Sequence, residues 1–434
     1  MRRLLVVIIS ALTGAGFAAS AAAAPPAALT PLRTPEVITA VTAPSAVAGR
    51  PADTSEPDIA VVAGWNQSAL DAVRVTRASD ADAARLYAMV NVAVYDAVNG
   101  ISGSREPALV TGRGPRHANP QAAAAAAAHA VLVRVDAARA ALYDARLAAD
   151  LARLHRGVDS GVTWGEHVGA AVVEARTDDG STPVETQPAG FGPGVFRTAW
   201  SGVQYRHVRP FAVADPARYL PSGPPAPDSA AYASAYAEVA DLGNGAVDRP
   251  DLLATYQFWS LPAGSSQPPG EWLRITLSVA EARHLRLPDE ARLTALLTMA
   301  LADTTVVTVS TKFTYRHWRP TTAIRETTDP AWTARAGSVG GSPEYVSGHS
   351  SYSGAAATVL AGFFHTDRIT FSHATDSAPG GTARTYPAFS AAAAEAGRSR
   401  VYGGLHFDFS NRTGLALGGA VAHEVLATAL RPRH

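Results

Sequence analysis

Seven residues in the last third of the chain carry the chemistry available to it: Lys312 and Arg319, then Ser347, Gly348 and His349, then Arg400 and His406. Three cations can neutralise the oxygens of an anion, the arginines through forked hydrogen bonds. A hydroxyl and a glycine N–H add neutral donors, and two imidazoles can move protons or attack covalently. This set suits a tetrahedral oxyanion held from several sides. Lys312 is the only lysine in the chain, and its compact, rotatable ammonium is a different donor from a planar guanidinium.

The elements that must position these groups are legible in part. The run from Asp303 to Trp318 reads as one uninterrupted helix. At about 100° per residue, Arg319 returns to the face of Lys312 two turns on. Pro320 disfavours helical dihedrals at Arg319, which places that residue at a helix end. Ser347-Gly348-His349 precedes an alanine-rich helical run from Ser350 to about Phe364. Free N–H groups and the positive end of the helix dipole then face a bound anion, and Gly348 lets the backbone come close. Arg400 and His406 flank a Tyr-Gly-Gly turn, and Asp408, two residues on, is a candidate to orient the His406 imidazole. His317 lies off the Lys312/Arg319 face, Asp303 turns to the opposite side in a structural role, and His423-Glu424 lacks the second histidine of a zinc-protease helix.

The rest of the chain narrows the class. Met1-Arg2-Arg3, an apolar run to Ala18 and Ala21–Ala24 before Pro25 read as an export signal over 1–24, so the expected location is extracellular. Without it the chain keeps 35 bases and 37 acids. That balance gives no reason to invoke nucleic acid or an anionic membrane as partner. There is no cysteine, hence no disulfide framework and no thiolate chemistry. No later stretch has about 18 uninterrupted apolar residues, so no membrane span is expected after the signal.

Residues 25–58 are rich in Pro, Ala and Thr and read as a linker. Helical periodicity then marks 81–98, 121–154 and 164–176. From 179 to 228 proline and glycine dominate, and this long coil is expected to wrap over the molecule and wall a channel. Its glycines 190, 192 and 194 lack the flanking strand and helix of a dinucleotide loop. Helices resume over 229–242, 249–260, 270–285 and 288–318, and close the chain over 388–397 and 413–430. The class is all-α, with an N-terminal helical region over 59–228 and a C-terminal catalytic bundle over 229–434.

Taken together, Lys312-(six residues)-Arg319-Pro320, Ser347-Gly348-His349 and Ser399-Arg400-(five residues)-His406 resemble the signature of the vanadium-dependent haloperoxidases. These belong to the type 2 phosphatidic acid phosphatase superfamily. Trp318–Arg325, Tyr402–Phe407 and Met89–Gly100 resemble the bacterial branch in particular. The resemblance is strong over about 300–430 and weaker from about 80; Val346 stands where the family has proline. It implies two four-helix bundles with the anion site in the second, and a vanadate cofactor held by Lys312, Arg319, Ser347, Gly348, Arg400 and His406. It implies His406 as the vanadium ligand, His349 as the proton-handling group, and Lys312 as the residue that polarises bound peroxide. The implied substrates are hydrogen peroxide, a halide and a small organic acceptor. The same cage fits phosphoryl transfer, and the alternative is a secreted acid phosphatase with His406 as nucleophile.

Overall fold

The computed structural model describes residues 60–433; the expected export signal and the linker over 25–58 lie outside them. Among the described residues the chain forms thirteen α-helices: α1 Val61–Thr76, α2 Asp80–Ser102, α3 Pro120–Val135, α4 Ala140–Leu151, α5 Val158–Ala175, α6 Ala230–Leu242, α7 Pro250–Phe258, α8 Gln267–Ala282, α9 Leu287–Tyr315, α10 Pro320–Thr327, α11 Gly348–Phe364, α12 Phe389–Tyr402 and α13 Asp408–Thr428. Two antiparallel ladders are the only sheets among these residues: β1 Thr186–Gln187 with β2 Trp200–Ser201, and β3 Phe371–His373 with β4 Arg384–Tyr386. The class is all-α, and α1 and α10 are additions to the helices expected from periodicity.

Local signals explain where the helices begin. Ser79 caps α2 by accepting from the Asp82 N–H, with Asp80 and Asp82 in the first turn where the dipole favours acids. Asn119 caps α3 and Pro120 opens it. Ser347 caps α11, accepting from the Ser350 N–H. The run 121–154 is two helices, α3 and α4, separated by a 3-10 turn at Ala137–Arg139.

α9 is the central post. Nearly every residue from Ala291 to Lys312 is buried, which is why its apolar pattern runs all the way round instead of along one stripe. The helix is long and apolar enough to cross a membrane, but 94% of its most apolar window is buried inside the protein. It packs against α2 on one side and α11 and α13 on the other. One core therefore runs from Trp65 and Tyr87 through Leu296 to Phe407 and Val421. The boundary expected at 228 divides the sequence but not the core.

The coil over 179–228 is anchored to this post. Asp303 accepts from the N–H groups of Phe211, Ala212 and Val213 at 2.6, 2.9 and 2.9 Å, which is the structural role expected of it. Around the end of α9, Phe196 N–H bonds to Arg316 O and Trp318 N–H to Gly194 O. The expected non-nucleotide glycines thus belong to a loop that clamps the first motif.

Candidate active site

The three motifs meet, though not by the geometry their spacing predicts. α9 ends at Tyr315, and Arg316 takes the left-handed conformation at φ 46°, ψ 34°. The chain then runs extended through His317 and Trp318, and Arg319 is the N-cap of α10 with φ −80°, ψ 154°. Lys312 and Arg319 are therefore not two turns apart on one helix. A chain reversal brings them together, while Pro320 does hold Arg319 out of helical dihedrals as expected.

Both guanidinium and ammonium are tied to carbonyls. Lys312 Nζ donates to Pro343 O. Arg319 donates from Nε to Ser342 O at 2.8 Å and from Nη1 to Leu405 O at 2.8 Å, and Nη1 also stands 2.9 Å from His406 Nε2. Arg400, near the end of α12, donates to Trp259 O at 3.3 Å and stacks over Tyr256. Its Nε is buried with no partner. All three cations are at most 7% exposed, and their hydrogen-bond acceptors are carbonyls, the Ser342 hydroxyl and the His406 ring, with no carboxylate among them.

Burying cations is costly, and the protonation equilibria record it. Burial, with Arg319 nearby, pushes the Lys312 ammonium down to about 7. Burial also pushes Arg319 and Arg400 down to about 10.

The second motif closes the other side. Close backbone contact between α11 and α13 sets its position: a Cβ on Gly418 would lie 1.9 Å from Ser351 O, so glycine alone permits this approach. Ser347 is fully buried, 2.9 Å from Ser350 Oγ, whose single hydroxyl proton also faces the acceptor Asn411 Oδ1 at 2.9 Å. Gly348 and His349 lie in the first turn of α11, where N–H groups have no acceptor within the helix. His349 Nε2 faces Ser260 O at 3.3 Å; a carbonyl only accepts, so Nε2 carries the proton and Nδ1 the lone pair. Burial, then Arg400 and His406, hold its pKa well below the usual histidine value.

After α12 the chain turns at Gly404, at φ 74°, where a Cβ would also meet Gly243 O at 2.7 Å. His406 follows, and its Nδ1 points to Glu344 Oε1 at 3.0 Å. Asp408 does not orient His406; it binds Arg398 and Asn411. Sequence reasoning passes over Glu344, whose only signal is a charge between Pro343 and the apolar Tyr345-Val346. It places His317 off the site as well, yet His317 Nδ1 lies 3.2 Å from the other Glu344 oxygen. Burial alone would raise the Glu344 pKa, but the bonds from His317 and His406 hold it well below the usual carboxylate range.

A cavity of ≈380 Å³ reaches Lys312 between the start of α2, the coil and α9. Trp200, Gln204 and Tyr205 of the coil line it, so this part of the coil walls the cavity that reaches Lys312. Phe196 instead packs in a small core with Val306 and Val309, Arg206 stacks on Phe313, and Arg209 bonds to Ala175 O. His207 is exposed. Asp80 also lines the cavity, and no motif signals it; burial raises its pKa against the opposing pull of Lys312.

Residues 292–434 match the family model described as the VCPO second helical-bundle domain. The chain is similar in structure to a crystal structure of the first bacterial vanadium-dependent iodoperoxidase, with TM-score 0.78 and 22% identity over 86% of this chain and 97% of that one. It is similar to an apo-type bacterial vanadium-dependent chloroperoxidase, with TM-score 0.62 and 17% identity over 79% and 93% of the two chains. A holo-type bacterial vanadium-dependent chloroperoxidase gives TM-score 0.64 and 18% identity over 86% and 96%. No curated protein matches the chain by sequence.

Proposed function

We propose that this protein is an exported, vanadate-dependent haloperoxidase, a reading supported by the match of residues 292–434 to the VCPO second helical-bundle domain and by a fold similar to that of a bacterial vanadium-dependent iodoperoxidase. Its reaction would be oxidation of a halide by hydrogen peroxide, with uptake of one proton, to hypohalous acid and water, followed by halogenation of a small organic acceptor. The observation that carries the proposal is the burial of Lys312, Arg319 and Arg400 with no carboxylate bonded to any of them, Arg319 standing 2.9 Å from His406 Nε2.

The residues fit an oxyanion. Arg400 Nε is a buried donor lacking an acceptor, and an anion oxygen would satisfy it. A multiply charged anion would also offset the mutual repulsion of the three cations. Ser347 Oγ–H and the Gly348 N–H are the neutral donors, and His406 Nε2 is the candidate ligand atom. Bound vanadate would supply Lewis-acid activation of peroxide.

The protein's own part is binding, charge and proton transfer. Arg319 and Arg400 would offer their remaining guanidinium N–H groups to the anion's oxygens, and the Lys312 ammonium, a rotatable point charge, would offer its own. His349, neutral with its lone pair at Nδ1, is the base that takes a proton from incoming peroxide.

The test is peroxide-dependent bromide and iodide oxidation by purified protein, with vanadate removed and then restored, and with phosphate as competitor. Activity that follows vanadate and falls with phosphate is expected. Activity indifferent to both overturns the proposal. Hydrolysis of p-nitrophenyl phosphate without halide oxidation would assign the cage to phosphoryl transfer by His406 instead.

A further inference from the structure

Glu344 sits where two imidazoles and a backbone amide converge. It is fully buried. Its Oε1 lies 3.0 Å from His406 Nδ1 and accepts from the Phe407 N–H at 3.0 Å; its Oε2 lies 3.2 Å from His317 Nδ1. The Glu344 backbone is anchored as well: its N–H bonds to His317 O at 2.9 Å, joining the first two motifs, and Ser410 Oγ–H donates to Glu344 O at 3.2 Å.

An ionised carboxylate only accepts hydrogen bonds. Each imidazole facing it must therefore donate, so each must carry its proton on Nδ1. The opposite face of His406 agrees. Arg319 Nη1 lies 2.9 Å from Nε2, and a guanidinium only donates, so Nε2 must present a lone pair. Two neighbours that cannot exchange roles thus leave His406 one tautomer. The His317 ring packs among Tyr232, Phe407 and Phe409, and its buried Nε2 has no partner. That is a poor place for a second N–H and suits the same tautomer.

We infer that Glu344 is a positioning residue that locks both His317 and His406 as Nδ1–H tautomers and so aims the His406 Nε2 lone pair at the anion. It does not touch the anion; it acts through the imidazole. An imidazole free to carry its proton on Nε2 would have no lone pair to offer a central atom. The inference rests on the reading above only for which oxyanion is bound. The tautomer belongs to the protein alone.

The test uses the whole protein with ¹⁵N-labelled histidine and no vanadate. Long-range ¹H–¹⁵N correlation spectra separate the two tautomers, and His317→Phe and His406→Gln assign the two signals. Both residues are expected as Nδ1–H in the parent, and His406 should stay so in His317→Phe. Glu344→Gln replaces one acceptor oxygen by an N–H donor, so at least one imidazole should switch to Nε2–H. Vanadate or phosphate affinity, read by equilibrium dialysis, should fall 10–100-fold. Parent His406 with its proton on Nε2 overturns the inference, and this reading stands even if Glu344→Gln fails to fold. So does a folded Glu344→Gln with unchanged tautomers and affinity. Protein that shows the expected tautomers yet never oxidises halide would sink the haloperoxidase reading and leave this one intact.

Discussion

The Asp80 carboxylate, on the first turn of α2, lies 3.6 Å from the point where a Cβ would stand on Gly348, on the first turn of α11. The next neighbour of that point, a ring carbon of Tyr352, is 3.9 Å away. These are ordinary contact distances, so the protein's own packing does not demand glycine at 348. An occupant of the site would.

Gly348→Ala should therefore fold with unchanged or slightly higher stability, since Ala lowers the entropy of the unfolded chain by about 0.4–1 kcal/mol. It should bind vanadate and phosphate more weakly, because the methyl group lies between Asp80 and the N–H donors. Thermal unfolding and equilibrium dialysis on the same preparation separate the two effects. Equal loss of stability and affinity would show that packing, not an anion, selects the glycine.

Lys312 should make stability depend on pH. Its folded pKa of about 7 lies below the ordinary 10.5. Between those values the unfolded chain holds a proton that the folded chain has released, so stability rises with pH through this window and is lowest below pH 7. In phosphate-free buffer, Lys312→Met should be more stable than the parent by roughly 1–4 kcal/mol at pH 6, with a smaller gain at pH 9.5. It should also lose oxyanion affinity. Urea denaturation at the two pH values measures the difference, and an equal gain at both would mean that Lys312 is not a buried charge.

The two histidines should fail differently. His406→Ala removes the candidate ligand atom and should abolish both tight vanadate binding and halide oxidation. His349→Ala leaves the three cations and Ser347 in place, so vanadate should still bind while the rate falls by about 10²–10⁴-fold. The acid limb of the parent's rate profile should lie well below pH 6.5, because burial beside Arg400 and His406 keeps His349 unprotonated there. Vanadate lost in His349→Ala and kept in His406→Ala would reverse the two assignments.

Asp303→Ala should leave the three N–H groups of residues 211–213 without their acceptor. A cost of about 2–4 kcal/mol is expected: about 1–3 kcal/mol for the buried Val213 donor and a fraction of that for the half-buried Phe211 and Ala212 donors. The coil over 179–228 should become the first site of proteolysis. Limited trypsin digestion followed by mass spectrometry checks this, and an unchanged cleavage map would remove Asp303 as the anchor.

The sequence by itself determined which side chains are available and most of the local conformations. Lys312, Arg319, Ser347, Arg400 and His406 are legible because their types are chemically suited to an anion and their spacing repeats a known signature. The long helices are legible because their apolar residues recur every three or four positions, and the caps at Ser79 and Ser347 because a short polar side chain before such a run satisfies free N–H groups. Those signals act within a few residues. Tertiary structure decided the rest. Arg316 reverses the chain, so Arg319 reaches Lys312 from a second helix instead of the same one. Glu344, 62 residues from His406, takes the orienting role that proximity in sequence suggested for Asp408. Asp80 comes to the cavity from the other end of the chain. Such meetings depend on where α2, α11 and α13 settle around the buried faces of α9, and that is set by the collective burial of many apolar side chains, which no local pattern records.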